Sequence, residues 1–164
     1  MRGTVIRPEA ADDAGSVRDV LRAAFQGEAE ATLADELRAD GDIVLSLVAV
    51  DQNDGVVGYV AFPRLSVAGV PCAALAPVAV APEYQRRGIG QALIEQGMSM
   101  LRQRGEKLVF VLGEPAYYAR FGFDPTKAAA FTSDYSGPYF MASRADGAPA
   151  SGAVRYPPAF ARLS

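Results

Sequence analysis

A chain of 164 residues, half of them hydrophobic and with a net charge of −3, is long enough to bury a core of its own as one domain, 1–164. It holds no histidine and a single cysteine, Cys72, which excludes Ser-His-Asp and Cys-His nucleophilic mechanisms, an internal disulfide and the commonest metal-ligand sets; no metal is expected. The charge is uneven, because residues 85–107 carry five basic and two acidic side chains while the rest is acidic. One basic island suits a single anionic ligand better than nucleic acid. The opening Met1-Arg2-Gly3-Thr4-Val5-Ile6-Arg7 is too short and too quickly charged for a signal peptide and no apolar run approaches a membrane span, so a cytoplasmic protein without a membrane partner is expected.

In chain order, residues 4–7 form a strand closed by Pro8. Asp12 or Asp13 is placed to cap a helix whose apolar positions Val17, Val20, Leu21, Ala24 and Phe25 follow the i, i+3, i+4 rule. A second helix, about residues 28–39, has only Leu33 and Leu37 as an apolar stripe and reads as a surface element. Residues 43–51 and 56–64 are antiparallel strands joined by Gln52-Asn53-Asp54-Gly55, and a second turn surrounds Gly69. Cys72, next to an apolar run, reads as a small core hydrophobe.

Residues 75–80 are continuously small and apolar, as in a strand covered on both faces, and Ala81-Pro82 ends them. From Gly88 the period becomes helical, with Ile89, Leu93, Gly97, Met100 and Leu101 on one stripe. The helix start carries Gln85-Arg86-Arg87-Gly88 and no Ser, Thr, Asp or Asn cap. Cations beside the positive end of a helix are disfavoured by roughly 0.3–1 kcal/mol each. Positive charge on uncapped N–H groups is the pattern of a phosphate site, with Gly88 and Gly90 leaving the backbone open; the plain alternative is a glycine-rich turn with solvated arginines.

The next strand, 107–112, is reached by a crossover helix and should lie parallel to 75–80. Gly113-Glu114-Pro115 then opens a short helix over 116–121, ended by Gly122. Residues 125–138 read as loop, and 139–142 and 154–156 as weaker strands around a small-residue loop.

Gln85-Arg86-Arg87-Gly88-Ile89-Gly90 resembles the Q/R-x-x-G-x-G/A acyl-CoA signature of the GNAT N-acetyltransferase superfamily. Tyr118-Ala119-Arg120-Phe121-Gly122-Phe123 resembles that superfamily's Y-x-x-x-G-F motif, and the element order from Thr4 to Phe160 is similar to its fold, with the last stretch resembling a bacterial subgroup of acetyltransferases. The resemblance implies a single α/β domain with a mixed twisted sheet of six or seven strands and helices on both faces. It implies acetyl-CoA as co-substrate, its pyrophosphate on Gln85, Arg86, Arg87, Gly88, Ile89, Gly90 and Gln91, its pantetheine arm along Val78, Ala79 and Val80. Val80 N–H is then the oxyanion donor, and Tyr118 the acid toward sulfur, leaving Tyr117 for packing. Two departures stand: Gly113-Glu114-Pro115 replaces the asparagine often found there, and no acidic residue lies in the central strand. The general base is open between Glu114, Glu83 and a water chain.

The implied activity is direct acetyl transfer to a primary amine of a small molecule or protein in a ternary complex, by a monomer or homodimer. An acyl-CoA-binding sensor of the same fold is the alternative. A dinucleotide-binding oxidoreductase is disfavoured, since Gly88-Ile89-Gly90 supplies two of three glycines and seven residues separate Val80 from Gly88.

Overall fold

The computed structural model describes residues 3–163, which leaves Met1, Arg2 and their part in the reading of the N-terminus outside the described residues. Strand β1 (Val5–Pro8) is followed by helices α1 (Ala14–Phe25) and α2 (Ala29–Asp40), then by strands β2 (Ile43–Asp51), β3 (Gly55–Val67), β4 (Val70–Ala74) and β5 (Val78–Val80). Helix α3 (Ile89–Gln103) crosses to β6 (Leu108–Leu112); α4 (Pro115–Tyr118) and α5 (Pro125–Ala128) lead to β7 (Phe131–Thr132), β8 (Phe140–Arg144), β9 (Gly152–Arg155) and α6 (Pro158–Ala161). The main path of the sheet runs β1-β2-β3-β4-β6-β8, with β5 and β9 also paired to β3. Of its neighbouring pairs on that path, β4–β6 is parallel and the others are antiparallel, so the sheet is mixed.

Alternation along β2 and β3 builds two layers. Leu45, Leu47, Val60 and Phe62 face α3 through Leu93, Ile94 and Leu101, whereas Val48, Tyr59 and Ala61 face α1 through Val17, Val20 and Leu21. Period-two strands meeting period-3.6 helices on both faces produce this arrangement. Helix α3 lies very close to the sheet at Gly97, where an added Cβ would stand 2.4 Å from Phe62 Cε2. Gly97→Ala is therefore expected to destabilise the protein by about 1–3 kcal/mol through overpacking, read as a lower midpoint in urea at unchanged slope.

Four readings from the sequence need correction. Helix α2 is a core element: Ala31, Leu33, Ala34 and Leu37 are buried, the alanines widening the stripe and Ala159 of α6 covering Leu33 and Leu37. Asp13 makes no side-chain cap to α1; its carboxylate accepts from Ala10 N–H at 2.7 Å and from Arg7 at 2.7 and 3.0 Å. That arginine pair holds it below the usual carboxylate range. The run 75–80 is no continuous strand, because Leu75-Ala76-Pro77 interrupt it and Pro77 has no N–H to give the ladder. The stretch 125–138 is partly ordered into α5 and β7, with Asp124 capping α5 through Thr126 N–H at 2.8 Å. These short pieces and the split central strand bring the sheet to nine strands against the six or seven expected.

Cys72 is fully buried, and desolvation pushes its thiol up to about 12, so it stays a protonated core side chain at neutral pH.

Candidate active site

The interruption at Pro77 is what opens the site. Up to Leu75, whose N–H donates to Phe110 O at 2.8 Å, the chain stays paired with β6. Beyond it the chain continues along β3 as β5, while the end of β6 has lost that partner. Ala61 N–H donates to Pro77 O at 3.1 Å and Ala81 N–H to Val57 O at 2.8 Å, which puts residues 77, 79 and 81 in the bonded register with β3. Strand alternation then points the N–H and C=O of Val78 and Val80 off the opposite edge, toward the gap. Gln85 Nε2 donates to one of these groups, Val80 O, at 3.0 Å.

A cavity of about 380 Å³ fills the gap, with Val78, Val111, Leu112 and Tyr118 on its strand side. Glu30 and Leu33 of α2 stand on another side, and Tyr135, Tyr156 and Phe160 close it. Helix α2 is fixed there by charge: Glu9 accepts from Arg38 at 2.6 Å and from Ser46 Oγ at 2.7 Å, and Arg38 also reaches Asp35 at 3.0 Å.

A second cavity of about 400 Å³ lies at the start of α3, bordered by Val80, Gln85, Arg86, Gly88, Ile89, Gly90, Gln91 and Tyr117. Gly88 takes a left-handed φ of 82° as N-cap, and no side chain caps α3, so its first-turn amides open onto this space. Arg86 is itself left-handed at φ 66°. Tyr84 donates to Asp54 and carries the Arg87 guanidinium over its ring at 5.0 Å, tying the loop to the β2–β3 hairpin.

The structure thus brings together most of the residues named from the sequence, with exceptions. Arg87 lies on Tyr84 and does not border the loop cavity. Ala79 turns its side chain into the core under α1 and its backbone to β3, so the pantetheine edge consists of Val78 and Val80. Glu83 and Glu114 are exposed and border neither cavity.

Tyr117 and Tyr118 diverge as adjacent helical residues must. Tyr118 borders the gap cavity and Tyr117 the loop cavity. The Tyr118 ring lies against the backbone of Gly113, where a Cβ would stand 2.5 Å from Tyr118 Cε2. The glycine of the Gly113-Glu114-Pro115 stretch is thus what admits the ring. Burial, and then Tyr117, push the Tyr118 phenol up, so it is protonated at neutral pH. Glu30 escaped the sequence reading, because a carboxylate in the first turn of a helix looks like ordinary dipole compensation.

A central strand that parts from its parallel neighbour over a cavity, beside an uncapped glycine-opened helix, belongs here to a fold shared with solved N-acetyltransferases. The chain belongs to the GNAT family, since a family model described as "Acetyltransferase (GNAT) domain" matches residues 5–126. It is 40% identical over 122 residues to the uncharacterized N-acetyltransferase YhbS of Escherichia coli K12, covering 73% of each chain. It is 38% identical over 132 residues to YjhQ of the same organism, covering 77% of this chain and 71% of YjhQ. Among solved structures, YhbS in complex with CoA superposes with a TM-score of 0.91 at 34% identity, over 100% of this chain and 95% of that one. A GNAT acetyltransferase from Brucella melitensis in complex with acetyl-CoA gives 0.83 at 33% identity, over 98% and 99%.

Proposed function

We propose that this N-acetyltransferase moves an acetyl group from acetyl-CoA to a primary amine by direct attack in a ternary complex, with no covalent enzyme intermediate. The observation that carries the reading is the edge of β5 that has no strand partner, with Val78 on the gap cavity beside Tyr118 and Val80 on the loop cavity at α3. The donor set fits the co-substrate: first-turn amides and Arg86 suit a pyrophosphate, and a free strand edge suits an amide-bearing arm. The relatives solved with CoA and acetyl-CoA support the same assignment.

When bound, acetyl-CoA supplies the thioester. Val80 N–H would face the oxygen on which negative charge develops as nitrogen attacks. Tyr118 would give its proton to the departing sulfur as the C–S bond breaks, and recover one from solvent. The amine loses its proton to water through the open side of the cavity. The buried, protonated thiol of Cys72 fits a route without an acyl-enzyme. The reading includes a cytoplasmic enzyme acting as monomer or homodimer; among the described residues no helix is long and apolar enough to cross a membrane.

The test is thiol release from acetyl-CoA over a panel of amines, with the product identified by mass. An amine heavier by one acetyl group and one thiol per turnover is the expected result. CoA binding without release for any amine would overturn the reading.

A further inference from the structure

The gap cavity is lined mostly by apolar side chains, with three tyrosines and one charge among them. Its volume of about 380 Å³ lies in the range of small-molecule sites. Tyr135, Tyr156 and Phe160 form a continuous aromatic wall, with centroids 5.2 Å apart at each step. Phe25 and Leu112, also lining it, are 42% and 53% exposed, which leaves large apolar side chains facing solvent at the mouth.

Glu30 is the only charged side chain lining this cavity among the described residues. It also differs from the other carboxylates of its helix. Asp35 pairs with Arg18 and Arg38, while Glu36 and Asp40 pair with Arg162. Preceding it, Glu28 accepts from Arg22 at 2.8 Å. Glu30 alone has no hydrogen bond or ion pair with a described residue, and it is partly shielded from water beside Leu33 and Phe25. A polar acceptor rich in hydroxyl or amide groups would find few partners there: of the three phenols, that of Tyr156 is held by Ser133 Oγ at 2.8 Å and that of Tyr118 is assigned to sulfur, which leaves Tyr135.

We infer that the acceptor is a primary amine carried on an aromatic or similarly bulky apolar body, which lies against Tyr135, Tyr156 and Phe160 while Glu30 draws in its ammonium group. This rests on the acetyl-transfer reading above and goes further by naming the substrate class. The apolar body covers the exposed mouth, and the ammonium supplies the cation Glu30 lacks. Glu30 is here a recognition residue, acting on the affinity for the charged amine.

The experiment compares phenethylamine with ethanolamine as acceptors, and acetyl-CoA with octanoyl-CoA as donors, on the full chain and on Glu30→Gln. One methylene in an apolar pocket is worth about 10–200-fold, so kcat/KM for phenethylamine should exceed that for ethanolamine by at least about 10²-fold. Glu30→Gln should raise KM for phenethylamine about tenfold, with kcat nearly retained. Added salt should lower kcat/KM of the parent, and the variant should have lost most of that dependence, a response that damage to folding alone would not produce. Ethanolamine used as well as phenethylamine would overturn the inference and leave acetyl transfer standing. A preference for octanoyl-CoA would give the cavity to the donor's chain and overturn it too. An unchanged KM and salt response in Glu30→Gln would remove Glu30 from recognition. No release with any amine would remove both the inference and the reading beneath it.

Discussion

Tyr118→Phe is expected to lower turnover by about 10²–10⁴-fold while CoA binding survives, because it removes the phenol assigned as acid toward sulfur and keeps the ring. The ring is held by contacts that phenylalanine preserves: edge-on to Phe123 at 6.0 Å, edge-on to Tyr117 at 5.0 Å, and flat space over Gly113. Packing and fold should therefore be untouched. Tyr117→Phe is the matched comparison. Its hydroxyl belongs to the loop cavity, 3.9 Å from where a Gly90 Cβ would stand, so its effect should fall on the KM for acetyl-CoA and spare kcat. Calorimetry with CoA and single-turnover rates on an identified acceptor separate the two. Equal rates for both variants would remove Tyr118 as the acid.

Gly90→Glu should weaken CoA binding by more than about 10²-fold while the protein stays folded, since like charges brought together at a binding site cost several kcal/mol. The steric side is mild: a Cβ at Gly90 would meet Val80 Cγ2 at 3.6 Å, an ordinary contact. A carboxylate in the first turn of α3 also suits the helix dipole, so stability should hold or rise. Gly90→Ala is the control and should keep its affinity. A normal CoA titration with Gly90→Glu would dismiss the phosphate reading of the loop.

What could be read from the sequence was what is local. The strand, loop and glycine-opened helix around Gln85–Gly90 lie within one short stretch, and the missing cap beside two arginines is visible in one dimension. The tyrosine pair was separable for the same reason, because helical spacing alone parts Tyr117 from Tyr118. Whatever depends on distant partners was hidden. Leu33 and Leu37 looked like a thin stripe until α6, far along the chain, covered them. The break at Leu75–Pro77 hid inside a uniformly apolar run, although Pro77 carried the signal: a residue without an N–H cannot sit inside a ladder. Asp13 answered to Arg7 instead of its own helix. Glu30 became visible only once the arginines were assigned to the other carboxylates around it.

The family match ends at residue 126, yet Tyr135, Tyr156 and Phe160 stand beyond it, and Arg162 clamps that segment onto α2 through Glu36 and Asp40 at 2.9 and 2.8 Å. On the inference above, the acceptor's wall is thereby drawn partly from outside the matched stretch, while Glu30 and the donor loop lie within it. Substitutions in the aromatic wall are then expected to alter acceptor preference without touching Gln85–Gly90 or the edge of β5 that faces the gap. On that inference, two relatives alike over the donor loop are expected to differ in the amines they serve, and the aromatic wall together with Glu30 is where a comparison of their substrates should begin.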